Sequence, residues 1–331
     1  MTCSDRIPWV VWLFAAVVLL CACRSGRPAE ARHIPRIQTH HLPPPTLHVE
    51  IPQLSNCTAV DDRLLPLNAD APLVLLVHGC TGSAGDFYTL ADVFAFHGQQ
   101  TVCFNYNDRD SLRVSTAQLT QAITALAGHL NHPDITLIGH SQGGLIARKA
   151  LGAAQDDPSG RQPPVRFRLV TIAAPFAGIE AARHCGSTTL AVLTLGMTIP
   201  ICKMISGDKW YEITYASDFI RYPGRLAPEV HTYLKVDTDE RDSCRRFDDQ
   251  GRCREDDFVF SLAEQYHQAI DTDELVNKVE MKAGHVKVIG DADRAPVKLI
   301  KALQAQGIMA DTPPEDREAL ALLLQDLYHR P

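Results

Sequence analysis

Two hydrophobic patterns alternate along most of this chain. Short runs of consecutive apolar residues, typical of buried strands, alternate with longer segments whose apolar positions recur every three or four residues, as in amphipathic helices. The short runs predict strands at residues 73–77, 101–106, 135–138, 167–172 and 230–236, and residues 46–51 alternate like an edge strand. The longer segments predict helices at residues 87–97, 116–130, 144–151, 295–306 and 314–328. This order predicts an α/β fold, in which a mostly parallel central sheet carries helices on both faces.

The alternation is interrupted between residues 185 and 225. Several apolar side chains crowd together there without a clear period, among them Met197, Met204 and Trp210. Two interpretations stay open: a helical excursion packed on the core, or a cap or lid whose apolar face meets an apolar ligand. We predict one domain over residues 46–331 that carries this cap-like insertion.

The segment before residue 46 is predicted to lie outside that domain. Residues 9–20 are continuously apolar, but the run is shorter than the roughly 20 residues that a transmembrane helix needs. We therefore interpret residues 1–22 as a signal peptide. Residues 23–45 are rich in Pro, Arg and His and are predicted to be a tether. The end of the apolar segment, Leu20-Cys21-Ala22-Cys23, resembles a bacterial lipobox, which implies that Cys23 is lipidated and anchors the chain to a membrane.

These features predict export. Arg24 follows the lipobox cysteine where retention in the inner membrane is associated with aspartate, so we expect an outer-membrane lipoprotein. The alternatives are a periplasmic or secreted form without the anchor, and an N-terminal segment that stays uncleaved as the anchor. The net charge of −7 and the lack of a basic run in the sequence argue against a nucleic-acid partner.

Seven cysteines follow Cys23, and an oxidising compartment would favour disulfides among them. Cys244 and Cys253 bracket a short polar loop and form the first predicted pair, and Cys185 with Cys202 would close a second loop. The sequence does not choose among the remaining three, which are Cys57, Cys80 and Cys103. Because no C-x-x-C or clustered Cys/His spacing occurs, metal binding is a poor alternative for these cysteines. We predict no metal site and no cofactor, while calcium binding by an acidic loop such as residues 237–240 stays open.

The most specific chemical signal is Gly139-His140-Ser141-Gln142-Gly143, which lies between a predicted strand and a predicted helix. In this context a G-x-S-x-G match indicates a nucleophile elbow, a strained turn that exposes the serine hydroxyl at the carboxyl end of a sheet. Both glycines are needed because a side chain at either position would collide with the neighbouring strand or helix. Ser141 is therefore the predicted nucleophile, and the alternative is a serine that only caps the helix.

A serine hydroxyl needs a base beside it, and the base needs an acid that orients it. At an elbow site these residues follow the serine in the order Asp or Glu, then His. Three of the fourteen histidines fit that order: His267, His285 and His329. We predict His285 as the base because it lies in a loop beside Gly284, whereas His267 falls in a predicted helix and His329 near the chain end.

The acid and the oxyanion donors follow from position. Four carboxylates compete for the role of acid, and the residue pattern leaves the choice open among Asp256, Asp257, Asp237 and Asp239. Ester cleavage also builds negative charge on the carbonyl oxygen, which two backbone N–H groups must stabilise. We predict the amides of Gln142, which follows the nucleophile, and of Cys80, which lies in the loop after the first buried strand.

Several segments together resemble bacterial lipases and esterases of the α/β-hydrolase superfamily. They are Val77-His78-Gly79-Cys80-Thr81-Gly82, the pentapeptide around Ser141, Thr171-Ile172-Ala173-Ala174-Pro175-Phe176-Ala177-Gly178 and Asp256-Asp257-Phe258-Val259. The resemblance implies the α/β-hydrolase fold over roughly residues 73–301. It also implies Asp256 as the acid, because the last segment is similar to a D-G-x-V acid loop. The glycine of that loop is absent here, which keeps Asp257 as the alternative.

We therefore expect an exported serine hydrolase that cleaves carboxylic esters, a lipase or esterase, through Ser141, His285, Asp256 and an acyl-enzyme intermediate. One alternative keeps the same three residues in an acyltransferase or thioesterase. Another is a non-catalytic surface lipoprotein that retains the hydrolase fold. The expected partners are a small-molecule or lipid ester and, through the anchor, a membrane.

Overall fold

The structure, a computed structural model, describes residues 41–58, 62–80, 82–132, 134–153, 165–186, 202–204, 206–291 and 294–328. The predicted signal peptide, the lipobox with Cys23 and most of the predicted tether lie outside these residues, and so does much of the predicted insertion. Within the part of the chain that the structure describes, no helix is long and apolar enough to span a membrane.

Seven strands form the central sheet, in the spatial order β11-β8-β7-β6-β4-β5-β2. In chain order the strands of the structure are β1 (Leu47–Val49), β2 (Leu54–Ser55), β3 (Leu65–Leu67), β4 (Leu73–Val77), β5 (Gln100–Phe104), β6 (Asp134–His140), β7 (Arg166–Ile172), β8 (Val230–Asp239), β9 (Cys244–Phe247), β10 (Cys253–Asp256) and β11 (Val276–Lys282). Every pairing in the central sheet is parallel except that of β2 with β5.

The helices flank this sheet. They are α1 (Tyr88–Phe96), α2 (Leu112–Ala127), α3 (Gln142–Ala150), α4 (Asp218–Arg221), α5 (Leu262–Gln265), α6 (Gln268–Asp271), α7 (Val297–Ala305) and α8 (Arg317–Tyr328). Short 3-10 helices occupy Ala84–Phe87, Glu180–Gly186, Gly207–Lys209 and Pro314–Asp316. The described part of the predicted insertion thus contains only short helical turns.

Alternate residues of the strands pack into two separate cores, one on each face of the sheet. In β4, Leu75 and Val77 contribute to the core that the apolar faces of α2 and α3 complete. Leu76, between them, contributes to the opposite core, which α1, α7 and α8 complete. The predicted fold class, a mostly parallel sheet with helices on both faces, is confirmed.

The differences from the predicted elements lie at the periphery. The predicted edge strand at residues 46–51 is β1, which pairs with β3 in a separate two-stranded sheet. The edge of the central sheet is β2 at one side and β11 at the other. The sequence analysis did not predict β11, since three of its positions carry Lys or Glu and most of it is exposed. It also missed the hairpin of β9 and β10.

Three disulfides cross-link the described residues. Both predicted pairs are confirmed: Cys244–Cys253 joins the two strands of the β9–β10 hairpin, and Cys185–Cys202 joins two described parts of the insertion. A third disulfide, Cys57–Cys103, connects the residues after β2 to its neighbour β5.

The parallel strands bring their carboxyl ends to one edge, where the candidate site forms. Three chain segments meet there: the loop after β4, the turn between β6 and α3, and the residues after β8. Within β8 the side chains alternate, so Tyr233 packs into one core and Leu234 and Val236 into the other. This alternation decides which side chains at the end of β8 face the site.

Candidate active site

The turn between β6 and α3 has the geometry of a nucleophile elbow. Ser141 adopts φ 55° and ψ −125°, a left-handed conformation that is unfavourable for a residue with a side chain. The flanking glycines are required by close packing: a Cβ at Gly139 would collide with the carbonyl of Gly143, and one at Gly143 with the carbonyl of Val77. The strained turn therefore holds the Ser141 hydroxyl at the end of the sheet.

A continuous chain of hydrogen bonds begins at Ser141 and ends at a carboxylate. Ser141 Oγ lies 3.0 Å from His285 Nε2, and His285 Nδ1 lies 2.8 Å from Glu240 Oε1. A carboxylate only accepts, so Nδ1 carries the proton and donates to Glu240. Nε2 is then the acceptor for the Ser141 hydroxyl, which is the tautomer that can remove its proton.

The carboxylate of Glu240 is buried and completely hydrogen-bonded. The residue is 1% exposed. Oε1 accepts from His285 and from the Thr238 hydroxyl at 2.9 Å, and Oε2 accepts from the backbone N–H groups of Val259 at 2.6 Å and Phe260 at 2.8 Å. These four donors replace the water that the carboxylate loses on burial. Phe260 also packs edge-on against the His285 ring, with the ring centroids 4.8 Å apart.

The position of Glu240 follows from the alternation in β8. Glu240 directly follows the strand and lies two residues after Thr238, which is itself buried. Gln265 fixes Thr238 through both backbone groups: Thr238 N–H donates to Gln265 Oε1, and Gln265 Nε2 donates to the Thr238 carbonyl, each at 2.8 Å. A buried amide thus orients the strand end that delivers the carboxylate.

Neither residue of the predicted acid loop reaches the imidazole. Asp256, the predicted acid, is exposed, and its Oδ1 accepts from the backbone N–H of Phe258 at 3.0 Å. Asp257, the alternative, is buried but accepts from the backbone N–H groups of Val286 at 3.0 Å and Lys287 at 3.1 Å. The prediction of Asp256 is therefore corrected: the carboxylate that contacts the His285 ring is that of Glu240. Along the chain, the residues of the β9–β10 hairpin lie between the end of β8 and Asp256. The resemblance to an acid loop gave no sign of this hairpin.

The other sequence candidates lie elsewhere. Asp237 is buried against Lys235, with Nζ–Oδ distances of 2.6 and 2.7 Å, and Asp239 pairs with Arg241 at 2.7 Å. His267 precedes α6, away from the hydrogen-bonded chain of Ser141. His329 lies outside the described residues.

His140 supports the backbone of the histidine loop. Its Nε2 donates to the carbonyl of His285 at 2.9 Å, and the two rings lie 4.8 Å apart. Burial, with the nearby His285, lowers the pKa of His140 to about 3. His140 therefore stays neutral at physiological pH and adds no charge beside the base.

The two predicted oxyanion donors flank Ser141 on separate elements. Gln142 is the first residue of α3, so the helix itself does not use its backbone N–H. Cys80 follows Gly79, whose backbone lies so close that an added Cβ would approach Ser141 Cβ to 2.9 Å. The structure thus brings both predicted residues next to Ser141, and the N-terminus of α3 favours negative charge there.

A buried lysine that the sequence analysis missed lies beside these donors. Lys209, 2% exposed, comes from the insertion, and its Nζ donates to Gln142 Oε1 at 2.5 Å and to the carbonyl of Asp108. Gln142 Nε2 donates to the same carbonyl at 3.2 Å. Burial lowers the pKa of Lys209 to about 8. Nothing in the local sequence distinguishes it from a surface lysine.

No cluster of three or more His, Cys, Asp or Glu side chains suited to a metal occurs among the residues described here. A hydroxyl beside a correctly oriented neutral imidazole can attack an electrophilic carbonyl. The backbone N–H groups of Cys80 and Gln142 are the predicted donors to the negative charge that would result.

Comparisons with known proteins identify the fold. The sequence profile of the alpha/beta hydrolase fold matches residues 72–159, which include β4, the elbow and α3. No curated protein sequence in the comparison matches this chain.

Several solved structures are similar to this chain, each with a TM-score below 0.5. A Bacillus licheniformis lipase in its mature form is 15% identical, with 77% of this chain and 97% of that chain covered and a TM-score of 0.46. A Paleococcus ferrophilus monoacylglycerol lipase is 13% identical, with 72% and 94% covered and a TM-score of 0.45. A Pyrococcus furiosus esterase is 14% identical, with 85% and 91% covered and a TM-score of 0.41. At these identities the likeness concerns the fold only, so an argument for activity must rest on this chain's own residues.

Proposed function

Because the chain has the α/β-hydrolase fold, we propose that it is a serine hydrolase that cleaves carboxylic esters. One observation carries the proposal: the chain of hydrogen bonds from Ser141 through His285 to Glu240, at a strained elbow. Each member has the tautomer or charge that acyl transfer needs. The three residues also follow one another along the chain in the order Ser, Glu, His.

In the first half of the reaction His285 Nε2 removes the Ser141 proton while Oγ attacks the ester carbonyl. The negative charge of Glu240 stabilises the imidazolium that forms, and its hydrogen bond keeps the ring oriented. The tetrahedral oxyanion accepts from the amides of Cys80 and Gln142. His285 then gives its proton to the leaving alcohol, and the acyl group stays on Ser141.

In the second half water takes the place of the alcohol. His285 removes a proton from the water, which attacks the acyl-enzyme through a second oxyanion in the same position. Collapse releases the carboxylic acid and returns the proton to Ser141 Oγ. No group outside the chain is needed for either half.

We propose a lipid-like acyl group for the substrate. Apolar side chains are exposed close to the site: Phe258 and Val259, next to the Phe260 that packs on His285, are 45% and 47% exposed. Met204, whose carbonyl binds Arg109 near Lys209, is 70% exposed. Such surfaces suit an apolar chain.

The test is hydrolysis of p-nitrophenyl esters from acetate to palmitate. Ser141→Ala should lower kcat by about 10⁶-fold, because the residues act as a unit. Ser83→Ala is the matched control, since Ser83 is exposed and its backbone rather than its hydroxyl contacts Asp86. Activity that rises with chain length would support the lipid-like acyl group, and retained activity in Ser141→Ala would overturn the mechanism. Adding an alcohol and analysing the products separates hydrolysis from acyl transfer.

We also propose that the protein is exported and anchored through Cys23, foremost in the bacterial outer membrane. The three disulfides among the described residues support an oxidising destination. Globomycin, which blocks lipoprotein signal cleavage, should cause the precursor to accumulate. Processing that is unaffected by the inhibitor would contradict lipidation.

A further inference from the structure

A single buried cation connects the insertion to both predicted oxyanion residues. Lys209 Nζ donates to the side chain of Gln142 at 2.5 Å and lies 3.4 Å from Cys80 Sγ. It also donates to the Asp108 carbonyl. The backbone amides of Gln142 and Cys80 belong to different loops, one after β6 and the other after β4. The ammonium is thus the point at which the side chains of both residues meet.

The segment that carries Lys209 is held firmly in place. Gly207 has φ +76°, and its backbone packs so closely on Arg109 that an added Cβ would collide with the Arg109 carbonyl. Asp208 N–H donates to that carbonyl at 2.8 Å, and Arg109 Nη2 donates to the Met204 carbonyl at 2.8 Å. Glycine is needed at this position because of both its conformation and its packing. These contacts fix the backbone from which the side chain of Lys209 extends into the site.

Burying an ammonium is unfavourable unless its N–H groups find partners, and a simple packing role would be served by an apolar residue. Here the partners are the Asp108 carbonyl, Gln142 Oε1 and Cys80 Sγ. The charged groups that face it are Asp108, whose Oδ2 lies 3.9 Å away, and Arg109, while the buried His78 has a lowered pKa and is neutral. The negative charge of Asp108 and the positive charge of Arg109 offset each other. The ammonium of Lys209 therefore adds net positive charge next to the predicted oxyanion position.

We propose that Lys209 is a positioning residue of the oxyanion hole. It holds the Gln142 and Cys80 loops at the spacing that the tetrahedral oxyanion requires, and its charge favours that oxyanion over the neutral ester. This inference rests on the proposed ester hydrolysis. It also assigns the insertion a part in the chemistry.

The experiment compares Lys209→Met, Lys209→Arg and the matched control Lys203→Met, since Lys203 lies in the same insertion with an exposed side chain. Removing one oxyanion-hole donor lowers kcat by roughly 10²–10³-fold. Because Lys209 acts through two donors that remain, Lys209→Met should lower kcat about 10–100-fold and leave KM within about twofold. Lys209→Arg should recover part of the loss, and Lys203→Met should match the wild type. A Lys209→Met kcat within threefold of the wild type, or an equal loss in the control, would overturn the proposal.

The pH profile adds a readout that a purely structural role would not change. Lys209 loses its proton at a pKa of about 8, so kcat of the wild type should fall above that pH. Lys209→Arg should move this decline to higher pH because arginine stays protonated. If Lys209→Met does not fold, the wild-type and Lys209→Arg profiles decide alone, and identical profiles would refute the role.

Labelling by a fluorophosphonate separates this inference from the proposed function. Ser141 Oγ displaces fluoride from the phosphorus of the probe, and the phosphoryl oxygen becomes more negative as the attack proceeds, as the ester oxygen does. If the wild type is labelled but cleaves no ester, the proposed substrate class fails, and a 10–100-fold slower labelling of Lys209→Met would still support the role of Lys209. If the wild type is neither labelled nor active on esters, both proposals fail.

Discussion

Two groups of contacts hold His285, and they act on different parts of the residue. Glu240 and Phe260 contact the imidazole ring, whereas Asp257 and His140 contact the backbone of its loop. Glu240 and Asp257 are alike in burial, each 1% exposed, and each accepts several hydrogen bonds. Burial and charge therefore do not distinguish these two carboxylates. Their direction does, because of the two only Glu240 reaches His285 Nδ1.

The backbone contacts form a support for the loop. The Asp257 carbonyl accepts from His285 N–H at 2.9 Å, while its carboxylate accepts from the next two amides along the chain. Gly284 is required here, because an added Cβ would collide with the Asp257 carboxylate. Burial raises the pKa of Asp257, and the two amides oppose that effect by stabilising its ionised form. Asp257 thus holds the backbone of the loop, and Glu240 is left to orient the imidazole ring.

The largest effect should come from Glu240→Gln. The amide keeps the size of the side chain but can present an N–H to Nδ1, which favours the wrong imidazole tautomer. We expect kcat on p-nitrophenyl esters to fall by about 10⁴-fold while KM changes little. The melting temperature checks that the variant folds. A loss of less than tenfold would show that another group orients His285.

Asp257→Asn should separate support of the loop from orientation of the ring. Its amide nitrogen would face one of the two N–H groups that the carboxylate now accepts, leaving that donor unpaired. We expect the free energy of unfolding to fall by about 1–3 kcal/mol, measured by urea denaturation. The kcat should fall by less than tenfold. A loss of activity as large as that of Glu240→Gln would mean that the two carboxylates do not have separate roles.

His140 should make stability depend on pH. Its folded-state pKa, about 3, lies below the value of 6.5 for an unperturbed histidine. Between these values the unfolded chain binds the proton and the folded protein does not, so stability falls as pH falls from 6.5 towards 3. The slope from this group is at most about 1.4 kcal/mol per pH unit. Denaturation of the wild type and His140→Asn across this range should show a flatter dependence in the variant, and parallel curves would contradict the assignment.

Asp256→Asn should have the smallest effect. Its carboxylate is exposed and accepts one local backbone hydrogen bond, which an asparagine oxygen can also accept. Stability should change by no more than about 0.5 kcal/mol, and kcat by less than twofold. Because Asp256 adjoins Asp257, it is the matched control for that variant. A severe loss of activity would restore Asp256 as a candidate acid.

The fold and the nucleophile side of the site were predictable because their signals are local. The apolar runs of β4, β6 and β7 predict buried parallel strands, and Ser141 lies in a pentapeptide at the junction of β6 and α3. The order Ser, acid, His then selected His285, which the structure places against Ser141. Each of these predictions needed only the residues around one turn, or the order in which Ser, Asp or Glu, and His occur along the chain.

The acid could not be chosen this way because it depends on two features that the sequence shows weakly. The sequence pattern predicts that β8 ends at Val236, but the strand continues through three more residues, all polar. The carboxylate that follows the strand was therefore sought too early in the chain. The β9–β10 hairpin then displaces the acid-loop resemblance from the strand end. With β8 extended to Asp239, a search for Asp or Glu directly after the strand finds Glu240. Lys209 offered no such signal, because its burial arises from tertiary contacts, which include those of its side chain with Asp108 and Gln142.

The two edges of the central sheet have a consequence for association between molecules. At one edge β2 is only two residues long, and the Cys57–Cys103 disulfide joins its flank to β5. At the other edge β11 presents Lys278, Glu280 and Lys282 to solvent. A short strand and a row of charges are both poor templates for a strand from another molecule. The oxidised protein should therefore resist aggregation at high concentration. Light scattering that rises in the Cys57→Ser/Cys103→Ser double variant would identify β5 as the edge that this disulfide protects.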